Sequence, residues 1–438
     1  MFGYYFELAL RSFRRNKALT VLMVLAIALG IGASMTTLTV FHVLSGDPIP
    51  RRSGQLFYVQ LDPASMDGYT AGEEPEEQVT RHDAEELLRQ ARGDRQAMMT
   101  GGSAVVEPSK QGMAPFHVDV RYTSGEFFPM FQTPFVHGGG WSAEQDAGRA
   151  RVAVIGTELN DKLFGGADST GQTVRFNGVD FRVVGVLGDW RPVPKFYDLN
   201  SNRYGAPEQA YIPFSTSRDL RMDRNGSMNC WSSGANSDDP EGETGVNAPC
   251  AWIQYWVELD AADEVAGYRQ YLVNYSDQQR ASGRFERPTN VRLRSVMEWL
   301  DFKRVVPSDV RMQVWLAMGF LLVCLLNTVG LLLAKFMRRS SEIGVRRALG
   351  ASRRAIFAQC LVEAGTVGLA GGVLGLGLAQ LGLWAIRQQP TGFSDILRLD
   401  ATMLLATFAL AILASLLAGV LPAWHACRVA PAIQLKSQ

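Results

Sequence analysis

The sequence predicts an α-helical membrane protein with four transmembrane helices and a large α+β extracytoplasmic domain. Four apolar runs, 18–44, 313–334, 355–386 and 401–423, approach or exceed the roughly 20 residues needed to cross a bilayer. A polar excursion, 45–308, carries strand and helix patterns between the first run and the second. A strongly basic segment between the second and third runs sets the orientation, because Lys and Arg are retained on the cytoplasmic side. The 438 residues, 47% hydrophobic with a mean hydropathy of −0.01, are therefore an average over two unlike parts. Lys and Arg number 43, as do Asp and Glu. The basic residues gather in the cytoplasmic and membrane parts, which leaves the excursion mildly acidic and gives no sign of a nucleic-acid partner.

In chain order, residues 1–17 place Phe2, Phe6, Leu10 and Phe13 on one helical face with Arg11, Arg14, Arg15 and Lys17 near its end. That pattern predicts an interfacial helix on the inner leaflet. The apolar run that follows is far longer than the core of a signal peptide, so 18–44 is read as an uncleaved anchor with its N-terminus inside. Within it, Gly30, Gly32, Ala33 and Ser34 permit close helix packing.

The excursion opens with GQLFYVQLDP, which alternates like a strand, and RHDAEELLRQAR, which has the period of an amphipathic helix. A strand-rich middle follows, with Asn177-Gly178 between TVRF and VDFRVVGV as a two-residue hairpin turn. The chain returns through AWIQYWVELD, a strand, and DEVAGYRQYLVNYSDQQRASG, a helix. Between them lies a Gly/Ser/Asn-rich insertion bounded by Cys230 and Cys250. In an oxidising compartment these two pair, closing a loop worth roughly 3 kcal/mol in the chain-entropy model. Cys324 and Cys360 in apolar runs and Cys427 after the last stay reduced. A metal is a poor rival for Cys230 and Cys250, since neither His nor a third Cys lies nearby.

Motifs of catalysis are missing. The turn from Gly166 to Thr173 has phosphate-loop spacing but carries Gln172 where a lysine is needed, and a strand follows it. The acidic run Glu73, Glu74, Glu76 and Glu77 reads as a solvated loop. The five histidines are scattered, and no metal site or catalytic constellation emerges.

In the membrane part, 296–306 is an amphipathic segment before Pro307, expected to carry the second span (309–334) outward as a stalk. Asn327 and Thr328 sit near that span's middle, where an amide seeks an interhelical partner. The third span (355–386) has two overlapping GxxxG spacings, Gly368 with Gly372 and Gly371 with Gly375, for tight helix contact. Glu363, near its cytoplasmic end, is expected to pair with Arg353 or Arg354. Counting spans puts the loop 387–400 outside and the tail 424–438, with Arg428 and Lys436, inside.

The cytoplasmic segment 335–354 is more patterned than a topology signal requires. Glu342, Ile343, Gly344, Val345, Arg346, Arg347, Ala348 and Leu349 read as a short helix stopped at Gly350. Ile343, Val345 and Leu349 would form its apolar face, flanked by arginines able to hold a partner's carboxylates.

EIGVRRALGASRRAI, followed by a glutamate and a glycine-rich apolar helix, resembles the cytoplasmic coupling region of MacB/FtsX-type ABC transporter permeases. The resemblance runs from Val296 to the C-terminus. It returns in the first apolar helix and in VDVRYTSGEFFPMFQTPFVHGGGW and RVAVIGTELNDKLFGG with the strands after it, which are similar to that family's periplasmic core domain. It implies an α/β lobe with an inserted strand-rich lobe, in the periplasm of a bacterial inner-membrane protein. It also implies a mechanotransmission permease. An ABC ATPase subunit on another polypeptide binds ATP, so the chain itself needs no cofactor, and docks on residues 342–350. A second permease copy, as homodimer or heterodimer, completes the transporter, with a periplasmic adaptor and an outer-membrane channel as further partners. Export of a peptide, drug or toxin is the expected task. Lipoprotein release and a membrane-anchored sensor without an ATPase are the alternatives.

Overall fold

The computed structural model describes residues 17–109, 112–231, 241–388 and 401–428. All but the last residue of the expected interfacial helix 1–17, most of the loop 387–400, Lys436 and the side chains of Cys427 and Arg428 lie outside the described residues. The chain divides into two compact units, residues 46–305 and residues 1–45 with 306–438.

The unit 46–305 is built on thirteen strands joined in one mixed network. Along its path lie β1 (Leu56–Gln60), β3 (Arg95–Val106), β4 (Phe116–Thr123), β5 (Phe135–Gly138), β6 (Val152–Gly156), β8 (Val179–Leu187), β9 (Ala210–Pro213), β12 (Cys250–Glu258) and β13 (Arg292–Ser295), in the order β13-β1-β12-β3-β4-β9-β6-β8-β5. Short strands β2 (Val79–Thr80), β7 (Thr173–Phe176), β10 (Arg224–Asn225) and β11 (Asn229–Cys230) pair at its margins. The β4–β9 and β6–β8 pairs are parallel. The remaining pairs are antiparallel, and the long β3–β4 hairpin carries the sheet from one lobe into the other. β12 is buried at every position and lies between β1 and β3, which is why CAWIQYWVE lacks the alternation of a one-sided strand.

Two helices cover the first lobe. α2 (Arg81–Gln90) begins where the Thr80 hydroxyl accepts from the Asp83 amide, and it buries Ala84 and Leu87. α7 (Ala262–Ala281) presents Tyr268, Leu272 and Tyr275 to the same core, four and three residues apart on one face. The second lobe carries the short helices α3 (Phe127–Met130), α4 (Ala143–Ala147), α5 (Thr157–Phe164) and α6 (Phe214–Asp219). Asn177 and Gly178, both at positive φ, form the turn between β7 and β8. Cys230 and Cys250 oppose each other on β11 and β12 and are joined by a disulfide.

Two expectations change here. The acidic run is exposed at Glu73 and Glu74, as read, but it is anchored: Glu74 pairs with Arg292 at 3.1 Å and Arg294 at 2.6 Å, and Glu77 with Lys303, tying the loop to β13 and the helix behind it. That helix, α8 (Val296–Phe302), is no stalk continuous with the span. It is capped by a Ser295–Glu298 box, and Arg304 at φ 47° followed by Pro307 breaks the helical path.

The other unit holds four helices long and apolar enough to cross a membrane: α1 (Lys17–Ser45), α9 (Ser308–Arg338), α11 (Arg353–Arg387) and α12 (Ala401–Arg428). α1 lies between α9 and α11, and the small residues read from the sequence are where the helices meet. The Ser34 hydroxyl donates to the Ala317 carbonyl at 3.1 Å. The two GxxxG spacings of α11 serve different neighbours. A Cβ on Gly371 would come 2.6 Å from Ile27, and one on Gly375 3.0 Å from Ile31, both on α1. A Cβ on Gly368 would come 2.1 Å from Ser415 and one on Gly372 2.7 Å from Ala411, both on α12. Residues three apart on a helix lie 60° off each other's direction, so one glycine-rich helix grips two partners. Asn327 departs from the expectation: it is exposed on the outer face of α9, while Thr328 is buried and donates to Cys324 of its own helix at 2.8 Å.

Candidate functional site

Between α9 and α11 lies α10 (Ser340–Ala348), held by ions at both of its ends. Its Glu342 accepts from Arg346 at 2.8 Å one turn along, and lies 3.5 Å from Arg339. Arg339 reaches on to Glu363 of α11 at 3.3 Å, and Lys335 of α9 meets the same carboxylate at 2.7 Å. Arg346 also donates to Gln359 of α11 at 3.1 Å. Glu363 is thus the joint of α9, α10 and α11. The expected pairing with Arg353 or Arg354 is replaced, because nine or ten residues along one helix separate those groups by about 14 Å.

The apolar residues of α10 do not share one face. Gly344 is buried, and Ile343 turns inward to pack on the helix core with Phe336 and Ile356. Val345 and Leu349 remain 54% and 83% exposed. Their spacing of four, with exposed Ala348 between, makes a short outward ridge. The helix ends at Leu349, and Gly350 takes φ 98°, a conformation that only glycine enters cheaply. The expected docking face therefore loses Ile343 and gains Ala348, and Arg346 is committed inward. A period of 3.6 places residues 343 and 345 some 200° apart, which sequence reasoning passed over.

A second charged cluster, which the sequence analysis missed, is sealed inside the periplasmic-type sheet. Arg121 on β4 donates to Asp198 at 2.6 Å and to Glu208, and Lys195 donates to Glu208 at 2.6 Å. The Tyr197 hydroxyl donates to the other Glu208 oxygen at 2.9 Å, and Ser201 donates to Asp198 at 2.7 Å. Burial alone would raise the Glu208 pKa, but the charges of Arg121 and Lys195 outweigh it and hold this carboxyl well below the usual range; Asp198 is lowered in the same way. Phe127 and Phe196 meet the Tyr197 ring edge-on, Phe131 stacks on it, and Trp256 packs edge-on against Phe131 and Phe196, which closes the cluster to solvent. The sequence carried no clear signal for it: in VDVRYT, Arg121 falls on the alternate face that His117 and Asp119 leave exposed, and only the end of the strand is buried on both faces.

Two family models match consecutive parts of the chain: the MacB-like periplasmic core domain over residues 20–275 and the FtsX-like permease C-terminal over residues 315–431. They define the class as an ABC-transporter permease, a membrane protein with four spans and a periplasmic domain. The first match covers more than half of the chain, which belongs to the MacB-like, FtsX-type permease family.

Among relatives, the chain is 25% identical over 348 residues to the pyoverdine export ATP-binding/permease protein PvdT of Pseudomonas aeruginosa, covering 78% of this chain and 45% of that one. It is 25% identical over 321 residues to the macrolide export ATP-binding/permease protein MacB of Bdellovibrio bacteriovorus, covering 73% and 42%. The chain spans about half the length of the curated relatives it matches. The crystal structure of the periplasmic region of MacB from Actinobacillus actinomycetemcomitans aligns at 14% identity with a TM-score of 0.34, covering 57% of this chain and 94% of that one.

Proposed function

We propose that this permease converts ATP hydrolysis on a partner ATPase subunit into movement of its periplasmic domain. ATP is bound by that partner, and α10 is the docking element. The observation that carries the reading is the outward ridge of Val345, Ala348 and Leu349 on a helix whose other side is tied by Glu342, Arg346 and Arg339 to both flanking spans. Pressure on the ridge therefore reaches α9 and α11 through Glu363. α1 and α9 lead directly along the chain into residues 46–305, so displacement of the spans is delivered there. The basic residues around α10 support a cytoplasmic location for it in a bacterial inner-membrane protein, with both termini on that side and the large domain in the periplasm. A second permease copy, identical or homologous, supplies the other half of the transporter, with an adaptor and an outer-membrane channel beyond it. The relatives' names, pyoverdine export and macrolide export, support outward movement of a substrate as the task.

The test is copurification of the ATPase and its stimulation in nanodiscs. Val345→Asp and Leu349→Asp each place a carboxylate in a surface desolvated on docking, at a cost of about 2–5 kcal/mol, and should abolish both readouts. Ile343→Val, an inward change, should leave binding intact. Full stimulation by both Asp variants would reduce α10 to a topology signal.

A further inference from the structure

The unit 46–305 contains an open cleft of about 1360 Å³, between α2 and β3 on one side and α3, α4 and α6 on the other. It has room for a molecule larger than most drug-sized ligands, which occupy about 300–1,000 Å³. One wall is aromatic. Phe128 and Trp141 meet edge-to-face with centroids 4.9 Å apart, and Phe214 at the start of α6 continues the surface. One turn further along α6 stands Arg218, on the same side of the helix.

Arg218 is 5% exposed and lines the cleft, yet among the described residues it forms no ion pair: Glu241, which pairs with Arg81, acts on it only through its charge. Its Nη2 donates to the Met222 carbonyl at 2.7 Å and its Nε to Ser217 at 3.4 Å. Its guanidinium lies 5.6 Å from the rings of Tyr122 and Trp252 and 6.0 Å from Phe214. Its Nη1 keeps no hydrogen bond among the described residues. Burial lowers the pKa of this arginine to about 10, the mark of a cation without sufficient compensation.

The acids of the cleft are already spoken for. Glu85 and Glu241 pair with Arg81, Asp219 with Arg149 and Glu126 with Arg95. Asp146 accepts from Ser215, and burial raises its pKa above the usual value. A buried guanidinium with too little compensation is costly, and an anion bound beside it would offset that cost. Its planar fork suits a carboxylate.

We infer that the cleft binds a small organic anion whose flat apolar body lies along Phe128, Trp141 and Phe214 and whose carboxylate ends on Arg218. This inference is independent of ATPase docking, since binding is measured on the permease alone. The probes are 2-naphthoate and its neutral counterpart 2-naphthamide, titrated calorimetrically into the full chain in nanodiscs, with empty nanodiscs subtracted. Naphthoate should bind at one site at least tenfold more tightly than the amide. Arg218→Met should bring naphthoate down to the level of the amide. Because that change is buried, its melting curve is recorded alongside, and a second variant at an exposed wall position, Ala147→Trp, should weaken both probes by narrowing the cleft. Equal affinity of the two probes for the parent would overturn the inference, as the counter-charge would then come from the chain itself. So would undiminished naphthoate binding in Ala147→Trp.

Discussion

The two compact units each contain an ionic cluster, and the clusters differ in how they end. In the periplasmic domain, Arg121, Lys195, Asp198 and Glu208 are at most 7% exposed at their side chains, and every carboxylate oxygen is taken inside the fold. In the membrane unit, Lys335 and Glu363 are as deeply placed, but the chain of pairs continues through Arg339 and Arg346 to Glu342, which is 36% exposed. A closed network returns the desolvation cost of its members only when all are present, so it locks one arrangement of the strands that meet there. A network open at one end can be pushed from that end. The first is suited to holding a domain rigid, and the second is the arrangement that the proposed transmission from the ridge to two spans requires.

The largest effect expected from breaking this contrast lies in the closed cluster. Glu208→Gln leaves Arg121 and Lys195 short of a buried counter-charge and should destabilise residues 46–305 by about 3–5 kcal/mol, read from the thermal midpoint of tryptophan fluorescence. The same cluster gives a pH signature. The carboxyls of Glu208 and Asp198 have folded pKa values below their unfolded ones, so their stabilisation is present above the unfolded range, near pH 4, and is lost as pH falls through the lower folded values. The parent should lose stability on acidification below about pH 4, with a shallower loss in Glu208→Gln. Equal slopes would show that other groups govern the acid transition.

Breaking the open cluster should act on coupling more than on folding. Glu363→Gln keeps the shape but removes the charge that Lys335 and Arg339 share. The ATPase should still copurify, since the ridge is untouched, while its stimulation by the permease falls about tenfold, equivalent to roughly 1.4 kcal/mol of coupling. Retained stimulation would mean that the relay does not pass through Glu363. The smallest effect sharpens where the lever stops. Gly350→Ala forces a side chain into φ 98° and should weaken the end of α10 by about 1 kcal/mol, seen as faster amide exchange at 345–349 with little change in the thermal midpoint.

Much of the fold was legible residue by residue. The four spans, the Asn177-Gly178 turn, the strand 250–258 and the helix ending before Gly350 depend on local sums of hydropathy and on φ preferences, which a linear sequence states directly. The candidate site was half legible: the location of α10 followed from charge and glycine, but its outward ridge required the helical angle between Ile343 and Val345. The stalk was misread because 296–306 has an amphipathic period that says nothing of the break at Arg304 and Pro307.

The sequence by itself therefore determined which four segments are long and apolar enough to span a membrane, that a large mixed domain lies between the first and the second, and that a short basic helix separates the second and third. Only the tertiary structure decided which charges meet. Arg121 and Glu208 are 87 residues apart in the chain, and Arg339 and Glu363 are 24 apart. Tertiary structure likewise decided that Gly371 faces α1 while Gly368 faces α12, and that Arg218 is buried in the wall of the cleft. Hydrophobic burial is a property that each segment carries with it. Ion pairing and close helix contact depend on distances of a few ångströms between segments, and those distances exist only once the chain has folded.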